Sequence, residues 1–254
     1  TYYLGNHKIM GGLSYEYQMA DNAYMRNGTG YYRYNSLADF LTGAAPETVA
    51  ITYGYDGELN PAARVRFHQI GLYGQDEWSV TDRFKLTYGL RFDTIVFDNQ
   101  DLMRNNAIYE LDYAGKQIDT GARPTTKVQV SPRVGFSWDV LGDKSFKVRG
   151  GTGLFSGRLP LVFFTNMPTN SGMVQNVAAI STSYKDGVAT PNDLLQHFSG
   201  KMITDVDELV AKLNKLDPKK FPTSISPEDG VLPSQIQAVD PKFKMPQVWK
   251  TSIA

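Results

Sequence analysis

The sequence predicts an all-β chain: a segment of an antiparallel transmembrane β-barrel, with about six strands and long external loops that contain a short helix. Three observations predict this fold class. Several segments alternate apolar and polar residues with a period of two, the connections between them are alternately long and short, and aromatic residues stand where these segments end. All three are properties of strands that cross a membrane with one face toward lipid.

The clearest strand is expected at Phe84–Asp93. Leu86 and Leu90 fall on one face of this segment, whereas Lys85 and Arg91 fall on the other. Three further segments alternate over about the length that a tilted spanning strand needs, roughly 9–11 residues: His7–Ala20, Lys127–Val140 and Phe146–Gly157. Two weaker strands are expected at Arg66–Trp78 and Met245–Ala254, and the second is too short and mixed for its faces to be assigned.

The connections between the expected strands are of two kinds. The short ones, Ser79–Arg83 and Leu141–Lys144, are polar and of hairpin type. The long ones are Asp21–Val65, Thr94–Thr126 and Arg158–Lys244. Because antiparallel strands cross the membrane in turn, all short turns fall on one side and all long loops on the other, as in outer-membrane barrels. Trp78 and Trp138 stand just before the two short turns, where an aromatic girdle is expected.

One helix is expected inside the last long loop, at Thr204–Leu216. Its apolar residues, among them Leu209 and Leu213, share one helical stripe. Thr204 is the expected N-cap, and Pro218 ends the pattern. We expect this helix to close a core within the loop; a membrane-surface or partner-binding helix is the alternative.

Composition argues against several functions. The 254 residues contain 26 Lys and Arg against 26 Asp and Glu, so the basic excess that nucleic-acid binding needs is missing. The absence of cysteine excludes disulfides, thiolate metal sites and cysteine nucleophiles. The three histidines lack ligand spacing, and no nucleophile motif surrounds Ser156. We therefore expect no catalytic residue, no cofactor and no metal, and a protein that is not an enzyme.

Two weaker patterns have simpler interpretations. Gly150–Gly153 is similar to part of a phosphate-binding loop but lacks the third glycine and the following helix, which favours a glycine-kinked strand. Asp56–Glu58 and Asp98–Asp101 could hold calcium in loops. Solvated turn residues explain both acidic groups more simply.

Some stretches resemble a known family. Leu72–Asp93, LYGQDEWSVTDRFKLTYGLRFD, closely resembles the barrel signature of TonB-dependent receptors. The segments SPRVGFSWDVLGDKSFKVRGGTGLFS (Ser131–Ser156), FKMPQVWKTSIA (Phe243–Ala254) and SLADFLTG (Ser36–Gly43) are similar to the Oar-like branch, found in carboxypeptidase-regulatory-like, TonB-dependent receptors.

The resemblance implies a multi-pass barrel of the bacterial cell outer membrane with about 22 strands and a plugged lumen. Residues 1–254 would then be part of the barrel, with the plug domain and the remaining strands outside this sequence. The implied function is TonB-dependent uptake of a scarce or large solute. The implied partners are the TonB complex, reached through the plug and TonB box, outer-membrane lipids, a peptide, glycan or metal-chelate solute, and a surface lipoprotein, with no nucleic acid.

Two groups of side chains are candidates for binding. A tyrosine-rich set in the first long loop could stack on a ligand: Tyr31, Tyr32, Arg33, Tyr34, Tyr53 and Tyr55. Charged residues on the polar strand faces could contact the plug, with a hydrated barrel wall as the alternative: Lys85, Arg91, Asp93, Arg133 and Arg149. Two other functions stay open, a non-transporting barrel that acts as adhesin or surface scaffold, and a soluble β-rich carbohydrate-binding or enzyme domain.

Overall fold

The computed structural model of the protein describes residues 1–98, 102–125 and 127–254. Antiparallel strands dominate this part of the chain. The strands are β1 Tyr2–Leu4, β2 His7–Asn22, β3 Tyr31–Arg33, β4 Thr48–Gly54, β5 Ala63–Ser79, β6 Phe84–Asp98, β7 Gln129–Asp139, β8 Lys147–Ser156, β9 Gln175–Ser181, β10 Ser183–Lys185, β11 Val188–Thr190 and β12 Gln247–Ile253. The helices are α1 Leu37–Thr42, α2 Asn106–Tyr109, α3 Leu161–Thr169 and α4 Val206–Leu216, with a 3₁₀ helix at Asp193–Phe198. Among these described residues, no helix combines the length and the apolar character that crossing a membrane requires.

The main sheet has seven strands in the order β1-β2-β5-β6-β7-β8-β12. Six of them are the strands that alternation predicts, and every neighbouring pair is antiparallel. The seventh, β1, is a short strand that pairs with the start of β2 and was not expected. The antiparallel, all-β arrangement predicted from the sequence is therefore confirmed.

The strand bounds differ from the prediction at the long-loop end of the sheet. β5 begins at Ala63 instead of Arg66, and β6 continues to Asp98 instead of Asp93. The two extensions pair with each other, with Phe67 opposite Phe97. Alternation did not reveal them because the apolar side changes there: Phe67 and Phe97 lie on the face that is polar elsewhere in the sheet, whereas Arg66 lies on the opposite face.

The register gives the sheet one apolar and one polar face. Directly opposed residues of antiparallel strands share a face, and one such row is Leu13, Leu72, Phe92 and Val130 across β2, β5, β6 and β7. These side chains are between 39% and 72% exposed in the isolated chain. A continuous apolar surface of this kind needs a cover, and the acyl chains of a bilayer provide one.

Short turns join β5 to β6 and β7 to β8 at one end of the sheet, and the long connections leave from the other end. This confirms the alternation of short and long connections. Trp78 lies opposite Leu86 and Trp138 opposite Phe84, so both indoles lie on the apolar face next to the short turns. That is the position expected for a girdle at a membrane–water interface.

The long connections contain structure that the sequence did not reveal. Strands β3, β4 and β9 form a second sheet, which joins the first long loop to the third. Helix α4 covers this sheet, and Leu209 and Leu213 are 1% exposed in a core with Ile51 and Ile180. We call this unit, residues 23–62 and 170–232, the loop body. The predicted helix and its role in a core of the loop are confirmed.

The predicted N-cap of α4 is wrong by one residue. Asp205, not Thr204, caps the helix, and its Oδ1 accepts a hydrogen bond from the Glu208 amide at 2.8 Å. Both residue types cap well, and a carboxylate adds a favourable interaction with the helix dipole.

A second core lies where α3 packs on the polar face of the main sheet, at its long-loop end. Phe164 of α3 is fully buried against Val65 and Phe67 of β5 and Ile95 of β6. The apolar run Leu159–Phe164 is thus partly covered by the inner surface of the strands. Towards the short-turn end, the polar face of the sheet is open.

Candidate functional site

Two tyrosines of the predicted ligand-contact set form part of the loop-body core. The Tyr53 hydroxyl donates to the Pro222 carbonyl at 3.0 Å and accepts from Asn176 Nδ2 at 2.9 Å. The Tyr55 hydroxyl donates to the Gly172 carbonyl at 2.7 Å. Burial raises the pKa of Tyr53 to about 12 and raises that of Tyr55 as well. These bonds tie the first long loop to the third.

The other four members of the set lie on or next to β3, where their side chains alternate. Tyr32 points into the loop body, its hydroxyl donates to the Ile203 carbonyl at 3.0 Å, and burial raises its pKa to about 12. Tyr34 packs edge-on against Phe40. Tyr31 is 42% exposed, and Arg33 pairs with Glu47 at 3.1 Å. Of the six predicted positions, Tyr31 and Arg33 are exposed and the other four are partly or fully buried. Ligand contact by this set stays a prediction.

The loop body contains a cleft that sequence reasoning missed. It has a volume of about 740 Å³ and lies between the end of β4 and the first turn of α4. Met25, Leu59 and Val206 contribute apolar surface, and Glu58 and Asp207 lie at the same opening. Its lining comes from separate chain segments that no single-strand pattern connects.

On the polar face of the main sheet, three of the predicted lumen residues are ion-paired. Lys85 Nζ lies 3.0 Å from Glu77 Oε1, across the β5–β6 pair. Arg91 lies 2.8 Å from Asp93 Oδ1 and also donates to Ser14 Oγ at 3.0 Å. Asp93 is 3% exposed, so Arg91 neutralises a nearly buried carboxylate.

Arg133 is in a different environment. Its guanidinium lies over the Phe155 ring, 4.4 Å from the ring centroid, and Lys250 Nζ lies 6.0 Å from the same centroid. The three side chains line an open hollow of about 640 Å³ on the polar face. We call this the Arg133 hollow; its lining also includes Gly135 and Gly151. Phe155 and Lys250 were not among the predicted site residues. The pairing of β7 with β8 brings Phe155 to Arg133, and the pairing of β8 with β12 brings Lys250.

Arg149, the last predicted lumen residue, lies nearer the short-turn end. It shares a row of the sheet with Ser137 and Lys85 and is outside the Arg133 hollow. The five predicted positions therefore lie in different environments. Lys85, Arg91 and Asp93 are ion-paired, Arg133 lies over an aromatic ring, and Arg149 lies near the end of its strand.

A family model described as an outer membrane beta barrel domain matches residues 1–254. The chain belongs to this family. Comparisons with curated proteins and with solved structures find no match. Membership places the protein in the bacterial outer membrane, and it contradicts the alternative of a soluble β-rich domain.

In an outer membrane beta barrel domain, the apolar face of the sheet meets lipid and the polar face meets the lumen. Leu13, Leu72 and Phe92 therefore belong to the lipid-facing surface. The Lys85–Glu77 and Arg91–Asp93 ion pairs, the Arg133 hollow and helix α3 belong to the lumen side. This assignment agrees with the outward band of apolar residues that defines such barrels.

The weaker motifs have structural roles in this barrel domain. Gly150–Gly153 lies inside β8, which agrees with a glycine-rich strand and not with a phosphate-binding loop. Asp56 and Gly57 form a turn with positive φ, where Glu58 accepts a hydrogen bond from the Asn60 amide. Of the second acidic group, residues 99–101 lie outside the described part of the chain. Within the described part, no three His, Asp or Glu side chains are grouped as a metal site would need.

Proposed function

We propose that this barrel domain crosses the outer membrane repeatedly as part of a TonB-dependent, Oar-like transporter that takes up a scarce or large solute. The resemblance of Leu72–Asp93 to the barrel signature of TonB-dependent receptors supports membership of that group. The Oar-like branch is supported by the similarity of Ser131–Ser156, Phe243–Ala254 and Ser36–Gly43 to it. The lumen side adds a physical argument. Its wall is polar and charged, as a path for a hydrated solute requires, and it is not filled by apolar side chains as in a small closed barrel.

One observation carries the proposal furthest: α3 packs on the lumen side of β5 and β6 at the long-loop end. Phe164 is fully buried there, and α3 follows β8 and leads directly into the loop body. A folded cover over the lumen side restricts free diffusion, whereas a porin needs an open channel. Uptake past such a cover needs a gated route, and TonB would supply the energy through the plug.

The sides of the membrane follow from the connection lengths. Under this proposal, the loop body lies outside the cell, and the turns after Trp78 and Trp138 face the periplasm. The solute would first meet the loop body, including the exposed Tyr31 and Arg33.

The test compares three strains that grow in the same complex medium: the parent, a deletion of the full-length gene, and a strain without functional TonB. Solutes in the spent medium are quantified by mass spectrometry. We expect at least one solute to be depleted by the parent and spared by both mutants. Identical depletion in the parent and the gene deletion would refute uptake, and depletion that persists without TonB would refute the energised mechanism.

A scaffold or adhesin role is the second candidate, and helix α1 is the observation that favours it. Leu37 and Leu41 are each 72% exposed and Phe40 is 49% exposed, so this short helix presents apolar side chains without a cover. Apolar protrusions of this kind suit contact with a surface partner, such as a lipoprotein. In the strain comparison, this role gives unchanged solute depletion together with a loss of surface attachment or of the bound partner.

A further inference from the structure

We propose that the Arg133 hollow is an anion-binding site on the lumen wall, for a carboxylate or phosphate group. This inference rests on the proposed function only in treating the polar face as the lumen through which a solute passes. The site itself is defined by Arg133, Lys250 and the Phe155 ring that both cations approach.

Arg133 and Lys250 differ from the neighbouring cations of the polar face. Lys85 and Arg91 both have a carboxylate partner within 3.0 Å. Arg133 and Lys250 take part in none of the ion pairs found among the described residues. The described residues that line the hollow include these two cations and no carboxylate. Two neighbouring positive charges without a counter-charge produce a positive potential that attracts anions.

An aromatic ring, not a carboxylate, holds the two cations. The Phe155 ring lies beneath the Arg133 guanidinium at 4.4 Å and attracts Lys250 from 6.0 Å. A cation–π contact uses the face of a guanidinium and leaves its in-plane N–H groups available as donors. The ring therefore orients Arg133 without using the fork of donors that binds a carboxylate or phosphate in a bidentate manner.

Glycines leave space around the two cations. One row across the sheet reads Gln75, Gly89, Arg133, Gly153 and Lys250, so a glycine lies on each side of Arg133. A Cβ at Gly153 would lie 3.0 Å from Arg133 Cγ and would push this side chain aside. In the next row, Gly135 and Gly151 lie between Thr87 and Ser252, whose hydroxyls add donors at the rim. Because these glycines have no side chains, a small group can approach the backbone closely.

The same chemistry has two sources. The anion is either part of the transported solute or a carboxylate side chain of polypeptide that fills the lumen. Both would bind Arg133 and Lys250 by charge-assisted hydrogen bonds. The experiment therefore includes an arm for each source.

The test measures how fast Lys250 reacts with an amine-specific acylating reagent in the full-length protein in detergent. Mass spectrometry gives the rate with increasing citrate, with inorganic phosphate, and with sodium chloride at matched ionic strength. We expect citrate to slow the acylation of Lys250 but not that of Lys147, a polar-face lysine outside the hollow. Arg133→Gln should raise the half-protecting citrate concentration roughly tenfold or more. Arg133→Lys, which keeps the charge, should have a smaller effect.

The outcomes are distinct. Rapid acylation of Lys250 that citrate slows supports the site and assigns it to a solute anion. Slow acylation without added anion, accelerated by Arg133→Gln, supports the site and assigns it to a carboxylate of the protein itself. Rapid acylation that citrate, phosphate and Arg133→Gln all leave unchanged overturns the proposal. A heat-modifiable band on gels checks the folding of each variant. TonB-dependent depletion of solutes is measured separately, so failure of the anion site leaves the transport proposal to its own test.

Discussion

Leu90 offers the sharpest test of the two-faced sheet. It lies on the apolar face of β6 and is 47% exposed, between Gly74 and Pro132 of the neighbouring strands. The residue is six positions beyond Phe84, where β6 begins after a short turn. With a rise of about 3.3 Å per residue and a strand tilt of about 40°, this places Leu90 roughly 15 Å from the strand end. That is close to the middle of a hydrocarbon layer about 30 Å thick.

Replacement of Leu90 by Arg should therefore lower the free energy of unfolding by about 2–4 kcal/mol, because Gly74 and Pro132 provide no polar side chain to pair with the guanidinium. At Leu86, only two residues from the strand end, the same change should cost roughly 0–1 kcal/mol, because the guanidinium reaches the interface. Gln75→Arg is the matched control. Gln75 lies at nearly the depth of Leu90 but on the polar face, opposite Gly89.

The measurement is a denaturant titration of the full-length protein in lipid vesicles, followed by tryptophan fluorescence. The expected order of destabilisation is Leu90→Arg first, then Leu86→Arg, with Gln75→Arg close to the parent. An equal loss of stability for Leu90→Arg and Gln75→Arg would refute the assignment of lipid and lumen faces. Equal losses at Leu90 and Leu86 would refute the depth estimate.

Three further predictions concern the loop body and the turns. A cysteine placed at Lys185 should react with an impermeant reagent on intact cells, whereas one at Asp143 should react only after the outer membrane is opened; the reverse pattern contradicts the assigned sides. Leu209→Ala should destabilise the loop body by about 2–5 kcal/mol, measured by hydrogen exchange of β4 amides, because it leaves a cavity in a closed core; the exposed Lys215→Ala on the same helix should change little. Burial raises the pKa of Tyr53 from 10 to about 12. The neutral phenol therefore contributes its full stabilisation below about pH 10, and this contribution is lost as the pH rises toward 12. Tyr53→Phe should reduce the loss of stability at alkaline pH, measured by limited proteolysis, and an unchanged pH profile of the variant would count against this assignment.

The match between prediction and structure is closest where a residue pattern is local. Phe84–Asp93 alternates within one strand, and its pairing with β5 and β7 preserves the two faces that alternation predicts. Helix α4 was found because its apolar stripe is also local. Its N-cap was misplaced by one residue because Thr204 and Asp205 both have side chains that can cap a helix.

The second sheet could not be predicted from residue patterns within single segments. Strand β4 is almost entirely buried, so it has no polar face to alternate with, and its partner β9 lies in another loop. Tyr53 and Tyr55 looked like an exposed aromatic cluster when considered along the chain. Their hydroxyls instead bond to Pro222 and Gly172, both more than 100 residues away.

The sequence by itself determined the barrel class, the six strands, the two faces of five of them and the end of the sheet from which the long loops leave. These features could be predicted because every second residue of a strand between lipid and water faces the same environment, so each segment shows a period of two. Only the tertiary structure decided that two long loops share one core and that α3 covers the lumen side of β5 and β6. It alone also decided that Lys250 and Arg133 both approach the Phe155 ring. Those arrangements depend on which distant segments pair, and pairing between distant segments is selected by the packing of the whole chain rather than by any repeat within a segment.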